Sequence, residues 1–528
     1  MESTPEQRPG PHSPAASRRS LRSARRAWFV FCALAPLAPI SARAQVEALP
    51  PGHWAYAELE HFENRGLIVM HGMRPYARRD VTAWVALLQS AGDANLLTRV
   101  EMTRLARLED EFIHGENLEQ SEMRFDPPLF RLHEGEWNFG LDVEAITGGA
   151  GNFGSDTQSD GTAWGRARFD AVLRHSNWAA YDTRYDVLLA EEEGARQDEN
   201  EVTSRERNWR GLTSQDERAY VALAGDHLRV VVGREYAAWG LSPDDPLLVS
   251  YSGRSLDAVQ AQLVLGRLRL ASSAGWLAIE SERNYAAHRL EIDCGPVRFG
   301  VQEAAIYTSP HLEPAYLFPL SFYYGNQFNE RGDDNTALGI DAKWSSPWGV
   351  FDGELLVDDF IYDGDPAPNR LGVRAGWRRG LSVGGADLDV QLGYLALGRW
   401  VYIHRETLTN FVAGSGDPAL DPYLGHALGP DADRWQLALG IVPSVRWQFA
   451  LRLQQTRRGA GNRDLSPWVP GQPYEFSFPS APVWTEQSAA LNTHVWLSRR
   501  VAIAATAEWA TGTPASARRV AAEIRFDL

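Results

Sequence analysis

The sequence predicts an all-β transmembrane antiparallel barrel of about 18 strands, preceded by a small N-terminal periplasmic helical bundle. Two observations predict this fold class. From Trp137 onward, apolar and polar residues alternate with a period of two, and the polar phase is too charged for a packed core. After residue 44, no segment approaches the roughly 18 consecutive apolar residues that a membrane helix requires. Because only helices and closed barrels satisfy every backbone polar group inside lipid, a chain that crosses a bilayer with strands must close into a barrel.

Residues 1–44 have the features of a secretory signal peptide. Arginines between positions 18 and 26 precede the apolar run from Trp28 to Ile40, and Ala42-Arg43-Ala44 supplies a small-residue cleavage site. We therefore expect the mature chain to begin at Gln45 and to enter the envelope of a Gram-negative-type bacterium, with the outer membrane as its destination.

Charge and cysteine content exclude several classes of protein. The 528-residue chain has a formal net charge of −16, and residues 1–44 carry +5 of it, so the mature chain carries −21. A chain this acidic is not expected to bind nucleic acid. Cys32 lies in the signal peptide and Cys294 is alone in the mature sequence, which excludes an intramolecular disulfide and a cysteine metal site there.

Residues 45–130 form the predicted periplasmic helical region. Apolar residues recur at helical spacing after residue 53, and Gly66 is placed to end the first helix. Asp80 is expected to cap a second helix, and a third is expected between Leu96 and Phe112.

One stretch of this region is similar to an S-layer homology motif. It runs from His53-Trp54-Ala55-Tyr56 through Arg65-Gly66-Leu67-Ile68 to Arg79-Asp80-Val81. Such motifs bind cell-wall polymers, so the resemblance implies wall binding, but they do so in sets of several and only one imperfect copy is present here. A small helical bundle that plugs or steadies the barrel explains the same residues without a ligand.

Residues 131–528 form the predicted outer-membrane β-barrel. Between residues 445 and 453, Val, Trp, Phe and Leu alternate with Arg, Gln and Ala. The final nine residues alternate in the same way, which is typical of the closing strand that the barrel-insertion machinery recognises. Their apolar face consists of Val520, Ala522, Ile524, Phe526 and Leu528.

The connections between the predicted strands fall into two classes. Short turns occur at positions such as 266–267 and 295–296, whereas the other connections are long, polar and rich in aromatic residues. Short turns on one rim and long loops on the other are typical of outer-membrane barrels, with the long loops outside the cell. The long segments are 191–217, 236–256, 308–334, 406–431 and 456–483.

Flat aromatic rings and planar polar groups are concentrated between Pro310 and Asp334. Aromatic rings offer stacking area to the apolar faces of sugars, and amides, carboxylates and arginine form paired hydrogen bonds with hydroxyl groups. A loop that folds into the lumen as a constriction has the same composition, so both interpretations stay open. The candidates in this segment are Tyr316, Phe322, Tyr323, Tyr324, Asn326, Gln327 and Arg331.

A second segment, Gly233-Arg234-Glu235 followed by Trp239-Gly240, has a similar character. Arg234 and Glu235 should face opposite sides of a strand, and Arg234 is placed to enter the lumen. There it would contact a ligand, or pair with carboxylates and stiffen the wall. Arg234 and Trp239 therefore join the candidates for polysaccharide binding or lumen constriction.

No catalytic, metal or cofactor site is indicated by the sequence. His175-Ser176-Asn177 contains the residue types of an outer-membrane phospholipase, but the three residues are consecutive in a predicted tight turn. Asp244-Asp245 and Asp333-Asp334 lack the alternating spacing of a known calcium loop. We find no phosphate-binding glycine loop and no HExxH zinc motif.

Two segments, together with the helical preface and the long barrel, resemble the Wzi-like capsule assembly family. They are Gly233-Arg234 with Trp239-Gly240 and Ser250, and Phe322-Tyr323-Tyr324 to Asn329-Glu330 leading into Leu338-Gly339-Ile340-Asp341. The resemblance covers most of the mature chain. It implies an eighteen-stranded outer-membrane barrel with a periplasmic helical bundle and a role in retaining capsular or exopolysaccharide at the cell surface.

The preferred hypothesis is a monomeric, non-enzymatic barrel whose outer loops bind surface polysaccharide. Its expected partners are that polysaccharide and outer-membrane lipid, and not nucleic acid. The first alternative is a porin with an open lumen. The second is an envelope tether that binds peptidoglycan through the N-terminal helical region.

Overall fold

A computed structural model describes most of the chain after the predicted signal peptide, and residues 1–44 lie outside the described part. The described ranges are 46–114, 129–154, 160–175, 178–190, 212–244, 246–330, 334–360, 367–474, 476–498, 500–512 and 517–527. The helices are α1 (Ala55–Asn64), α2 (Arg78–Asp93), α3 (Arg99–Glu109), α4 (Pro314–Leu317), α5 (Tyr323–Glu330) and α6 (Ala460–Arg463). None of these helices is long and apolar enough to cross a membrane.

Eighteen strands close into one antiparallel barrel. They are β1 (Trp137–Gly154), β2 (Asp160–His175), β3 (Ala179–Ala190), β4 (Leu212–Ala224), β5 (Leu228–Glu235), β6 (Leu256–Leu265), β7 (Leu268–Ala278), β8 (Arg283–Asp293), β9 (Val297–Thr308), β10 (Asn335–Ser346), β11 (Gly349–Asp359), β12 (Arg370–Val383), β13 (Ala386–Leu397), β14 (Ala432–Ser444), β15 (Trp447–Arg458), β16 (Trp484–Ser498), β17 (Val501–Gly512) and β18 (Ala517–Asp527).

The last strand closes the barrel against the first. β18 pairs with β1 from Ala517 opposite Gly154 to Asp527 opposite Glu144. A short strand, Phe130–Glu134, pairs with the remaining, earlier part of β1. The predicted fold class, an antiparallel barrel of about 18 strands with N-terminal helices, is confirmed.

Alternation along each strand separates a lipid-type face from a polar lumen face. In β9, Phe299 and Val301 point outward and are 49% and 45% exposed, whereas Arg298 and Gln302 point inward. The apolar outer face needs no partner in lipid, but the charged inner face does, because unpaired charges in a confined interior are costly. Much of the structure inside the barrel serves to pair that inner face.

The N-terminal helices pack around their own small apolar core, which includes Leu59, Phe62 and Val85. A capping box begins α3: the Thr98 hydroxyl accepts from the Glu101 backbone N–H at 3.1 Å, and Glu101 accepts from the Thr98 N–H at 2.7 Å. The third helix therefore starts at residue 99, later than Leu96, because the cap fixes its first turn.

The predicted end of α1 is confirmed, and the predicted cap of α2 is wrong. Gly66, just beyond α1, has a φ of +75°, the left-handed conformation that glycine adopts at helix ends. Helix α2 begins at Arg78, so Asp80 lies within its first turn. Its carboxylate instead pairs with His71 and Arg269, which links the helix to the barrel wall.

Candidate functional site

The helical region is docked inside the barrel at its short-turn end by a network of buried charges. Glu63 of α1 receives hydrogen bonds from Lys343 of β10 and Arg378 of β12, both at 2.6 Å. Burial raises the pKa of Glu63, but the adjacent ammonium and guanidinium groups outweigh it and hold the pKa below its ordinary value. The side chains of all three residues are at most 2% exposed, so this contact is shielded from water.

A second buried cluster joins α1 and α3 to the start of β13. His61 lies 2.8 Å from Asp389 and 3.3 Å from Glu101, and Arg104 donates to Asp387 at 3.1 Å. Burial lowers the pKa of His61, but the hydrogen bonds to Asp389 and Glu101 more than reverse that effect and raise it. These two contacts therefore favour the protonated form of His61 between helix and wall.

This cluster has the residue types of a metal site but already contains its own cations. His61, Glu101 and Asp387 bring one ligand atom each within 4.8 Å of one another. Arg65 donates to Glu101 at 2.7 Å and Arg104 pairs with Asp387. A divalent ion would meet both guanidinium groups, so the geometry favours an ion-pair latch.

From the long-loop end, two segments fold into the lumen: the described residues of 236–255, and residues 398–431. They form a continuous apolar cluster with inward side chains of the wall, and Trp239 lies in it with 2% exposure. The backbone N–H of Ser250 donates to Leu424 at 2.9 Å, which joins the two segments. Trp239 is therefore part of an internal plug and has no free ring face.

Arg283 fixes the 398–431 segment from the wall. Its guanidinium is fully buried and donates to the backbone carbonyls of Leu408, Asn410, Val412 and Gly414. One arginine thus satisfies four carbonyl groups of an irregular loop that would otherwise be buried without donors.

The helical region and the 236–255 segment meet in the middle of the barrel. Met73 and Arg74 pair with Trp239 and Ala238 as a two-stranded sheet, and the Gly240 N–H donates to Gly72 at 2.8 Å. Elements of the chain therefore enter the described part of the lumen from both ends, with the helical region and the 236–255 segment in direct contact.

A polar cavity of about 340 Å³ remains beside this contact. It lies between α1, the 236–255 segment and the inner faces of β12 to β15. Arg374 forms an ion pair with Asp244, which also accepts a hydrogen bond from Gln391 at 2.8 Å. The arginines that line the cavity outnumber its two carboxylates, Glu60 and Asp244.

The described residues 309–330 lie outside the barrel wall, which corrects the interpretation of this segment as a lumen constriction. Tyr316 and Tyr323 are 3% and 0% exposed and pack on outward-facing alanines of β7, β8 and β9. Glu303 of β9 accepts hydrogen bonds from the backbone N–H groups of Tyr323 and Tyr324. We call the described residues 309–330 the outer flap.

The remaining candidates of this segment have varied surroundings. Asn326 donates to Ala315 and Ser321 within the flap, so its amide supports the local fold. Phe322 is 78% and Tyr324 50% exposed on the outer surface. Gln327 belongs to α5, and Arg331 lies outside the described residues.

Arg234 and Glu235 face opposite sides, as predicted, but the expected lumen position of Arg234 is wrong. Arg234 pairs with Asp257 on the outer face of the barrel at 2.6 Å, and Glu235 is buried inside beside Arg218. The alternation of the strand indicated this outward position. Val232 lies two residues before Arg234, so both side chains point to the same face, and Val232 is 52% exposed on the outer face.

Sequence reasoning missed the lumen-facing residues of β14 and β15. It also missed three exposed aromatic residues of the 459–483 segment, Tyr474, Phe476 and Phe478, which we call the aromatic rim. On β15, Leu451 and Leu453 fix the lipid-facing phase, so Arg452 and Gln454 must face the lumen. The spacing carried that signal, but not the fact that both residues border a cavity.

The fold and the chain elements inside it define the class of the protein: an outer-membrane β-barrel whose lumen contains part of its own chain. Neither family models nor curated proteins match the sequence. Among solved structures, the fold is similar to that of Wzi of Escherichia coli, an outer-membrane protein involved in group 1 capsule assembly and described as a carbohydrate-binding β-barrel.

The likeness to Wzi has a TM-score of 0.59 at 13% sequence identity and covers 89% of this chain and 97% of Wzi. The predicted resemblance is thereby confirmed at the level of the fold. Weaker likenesses are to Pseudomonas aeruginosa OprD, with a TM-score of 0.42, 9% identity and coverage of 77% and 98%, and to OccK11 of the same organism, with 0.43, 9% and coverage of 74% and 96%.

Proposed function

We propose that this protein is a non-enzymatic outer-membrane barrel that binds and retains capsular or exopolysaccharide at the cell surface. The observation that carries the proposal is that chain elements, some of them held by buried ion pairs, enter the lumen from both ends and meet there. A barrel that passes solutes needs an open lumen. A barrel that holds a polymer instead needs a rigid frame for its outer loops, and Wzi, which has the same fold, is described as carbohydrate-binding.

The surface best suited to a glycan is the aromatic rim formed by the 459–483 segment. Tyr474, Phe476 and Phe478 are 40%, 47% and 44% exposed there. The guanidinium of Arg399 lies 4.6 Å from the ring centre of Phe476. Exposed ring faces beside a planar donor group supply the stacking and the hydrogen bonds that sugars require.

Binding of purified surface polysaccharide to the purified protein tests this proposal. Replacement of Phe476 and Phe478 together by Ala should weaken binding about tenfold, because each ring contributes roughly 0.5–1.5 kcal/mol. Phe318→Ala, at a ring that is 68% exposed on the outer flap, is the control. Equal affinity of the double variant and the wild type would remove the rim from the proposal.

A porin is the second candidate function. The observation in its favour is the polar cavity beside the contact between the helical region and the 236–255 segment. Conductance in planar bilayers separates the two functions. The elements that meet inside the lumen predict little or no stable conductance from the wild-type protein. Stable channels would favour solute passage.

A peptidoglycan tether would have to use residues that are largely engaged in the fold. Ile68 is 2% exposed, and Trp54 is covered by the Arg107 guanidinium 3.8 Å from its ring centre. Sedimentation of the full-length protein with purified cell wall tests this role, and we expect no wall-dependent pelleting.

A further inference from the structure

The wall of the cavity is a strip of long polar side chains on two neighbouring strands. Gln436 of β14 lies directly opposite Gln454 of β15, and their amides are hydrogen-bonded at 2.7 Å. Arg434 lies opposite Thr456, and Arg452 lies opposite Ala438. The two arginines are thus offset by four residue positions, about 13 Å along the strands at 3.3 Å per residue.

Arg452 interacts with the described part of the chain without a close contact. Its side chain is exposed to the lumen, with no hydrogen bond or ion pair to a described residue, although it lies close enough to Asp244 to lower the pKa of that carboxyl together with Arg374. Across the described lumen, most other arginines are paired, as Arg289 is with Asp341. An arginine without a close hydrogen-bond partner beside a cavity offers a planar donor to an acceptor group of a ligand.

The opposite side of the cavity supplies further cationic and aromatic groups. Arg74 donates to the backbone carbonyls of Pro243 and Asp244, and its guanidinium lies 5.7 Å from the ring centre of Tyr251. Four arginines face two carboxylates, so the cavity is electropositive within a strongly acidic protein.

We propose that this cavity binds a short anionic saccharide, with an acidic substituent on Arg452 and its hydroxyl groups on the Gln436–Gln454 pair. The volume of about 340 Å³ is at the small end of ligand cavities, about 300–1,000 Å³, and suits a short saccharide and not a polymer. The saccharide class rests on the proposed function, whereas the preference for an anion rests on the charges alone.

Calorimetric titration with a uronate-containing disaccharide and its neutral, carboxyl-reduced counterpart tests the site. We expect the wild-type protein to bind the uronate at least tenfold more tightly than the neutral sugar. Arg452→Gln should lose about 10- to 100-fold, because a hydrogen bond to a charged group contributes roughly 1.5–3 kcal/mol. Arg452→Lys, which keeps the charge, should retain part of the affinity.

The matched control is Arg405→Gln, at an exposed arginine on the long-loop side, which should bind as the wild type does. Unchanged affinity in Arg452→Gln would overturn the cavity site. Equally tight binding of inorganic phosphate would overturn the saccharide class. Loss of disaccharide binding in Arg452→Gln with intact binding of the whole polysaccharide would support a site separate from the rim, so the two proposals fail independently.

The outer flap carries a second, independent inference about its partner. Apolar side chains on it are strongly exposed, including Phe318 at 68%, Leu320 at 71% and Phe322 at 78%. The flap packs on outward-facing Ala274, Ala286 and Ala305, and is therefore continuous with the lipid-facing surface of the strands. We infer that the flap inserts these side chains into the outer leaflet of the membrane.

A polarity-sensitive fluorophore on Phe322→Cys, in a Cys294→Ser background, tests this inference in vesicles that contain doxyl-labelled lipid. Lipid contact predicts strong quenching. The control label at Leu420→Cys, 75% exposed in the 398–431 segment, should stay unquenched. Equal, weak quenching of both labels would place the flap away from lipid.

Discussion

Glu63 is the carboxylate on which docking of the helical region depends most directly. It accepts from Lys343 and Arg378 at 2.6 Å each and from the Met70 backbone N–H at 2.6 Å. Glu63→Gln keeps the shape of the side chain but removes the charge between two buried cations. Breaking a buried ion pair from one side costs about 3–5 kcal/mol, since the remaining charge stays buried.

The lower end of that range applies to Glu63→Gln. Arg378 retains Asp352 at 2.9 Å, and Lys343 retains the Met70 carbonyl at 2.6 Å. A loss of about 3 kcal/mol corresponds to about a 100-fold larger population of the undocked helical region. The barrel strands should keep their pairing, because the substituted side chain belongs to α1.

Hydrogen–deuterium exchange of the protein in detergent micelles measures that population, because amides of α1 exchange through local opening. We expect α1 amides to exchange about 100-fold faster in Glu63→Gln, with β11 unchanged. Asp93→Asn removes a charge from an exposed position of α2 and serves as the control. Equal α1 protection in Glu63→Gln and Asp93→Asn would refute a charge-dependent latch.

Three further predictions concern the lumen. Three measurements test them. In a thermal scan, Gly72→Ala should lower the unfolding midpoint by an amount corresponding to about 1–3 kcal/mol, because a Cβ there meets the Gly240 backbone at 2.9 Å. Gly225→Ala, which has open space around it, should leave the midpoint unchanged. Arg283→Met should make the 398–431 segment sensitive to limited proteolysis, because four carbonyls lose their donor; unchanged cleavage would contradict that role. Burial raises the pKa of Glu60 to about 7, so its negative charge is lost as the pH falls from 8 to 6. Binding of an anionic disaccharide should therefore strengthen roughly threefold to tenfold over this range in a calorimetric titration. Glu60→Gln should abolish this pH dependence.

The barrel follows from local alternation, which is why the sequence predicts it well. Each strand carries its own period of two, and residues such as Phe299 and Val301 mark the lipid-facing phase without reference to any other strand. The number of strands follows from the number of alternating segments. Closure then follows because unpaired edges are not tolerated in lipid.

The candidate site follows much less well, because it depends on where long loops fold. The composition of the 309–334 segment suits a lumen, a glycan site or an outer wall equally. The outcome is decided by Ala274, Ala286 and Ala305, which leave room on the outer face for Tyr316 and Tyr323. Those contacts join residues far apart in the chain, and spacing within one segment does not encode them.

The alternation of strand β5 indicated that Arg234 points outward, whereas its charge suggested a lumen position. Val230 and Val232 precede it at even spacing and set the lipid-facing side, so an arginine in the same phase lies outside, where Asp257 pairs with it. The expectation of a lumen position gave more weight to the charge of Arg234 than to the phase of its strand.

The most direct test of polysaccharide retention compares cell-attached with medium-released polysaccharide in a deletion strain and in the same strain complemented with the wild-type gene. Surface retention predicts a shift from attached to released polysaccharide in the deletion strain, unchanged total synthesis, and recovery on complementation. Equal attachment in both strains would contradict retention through this protein.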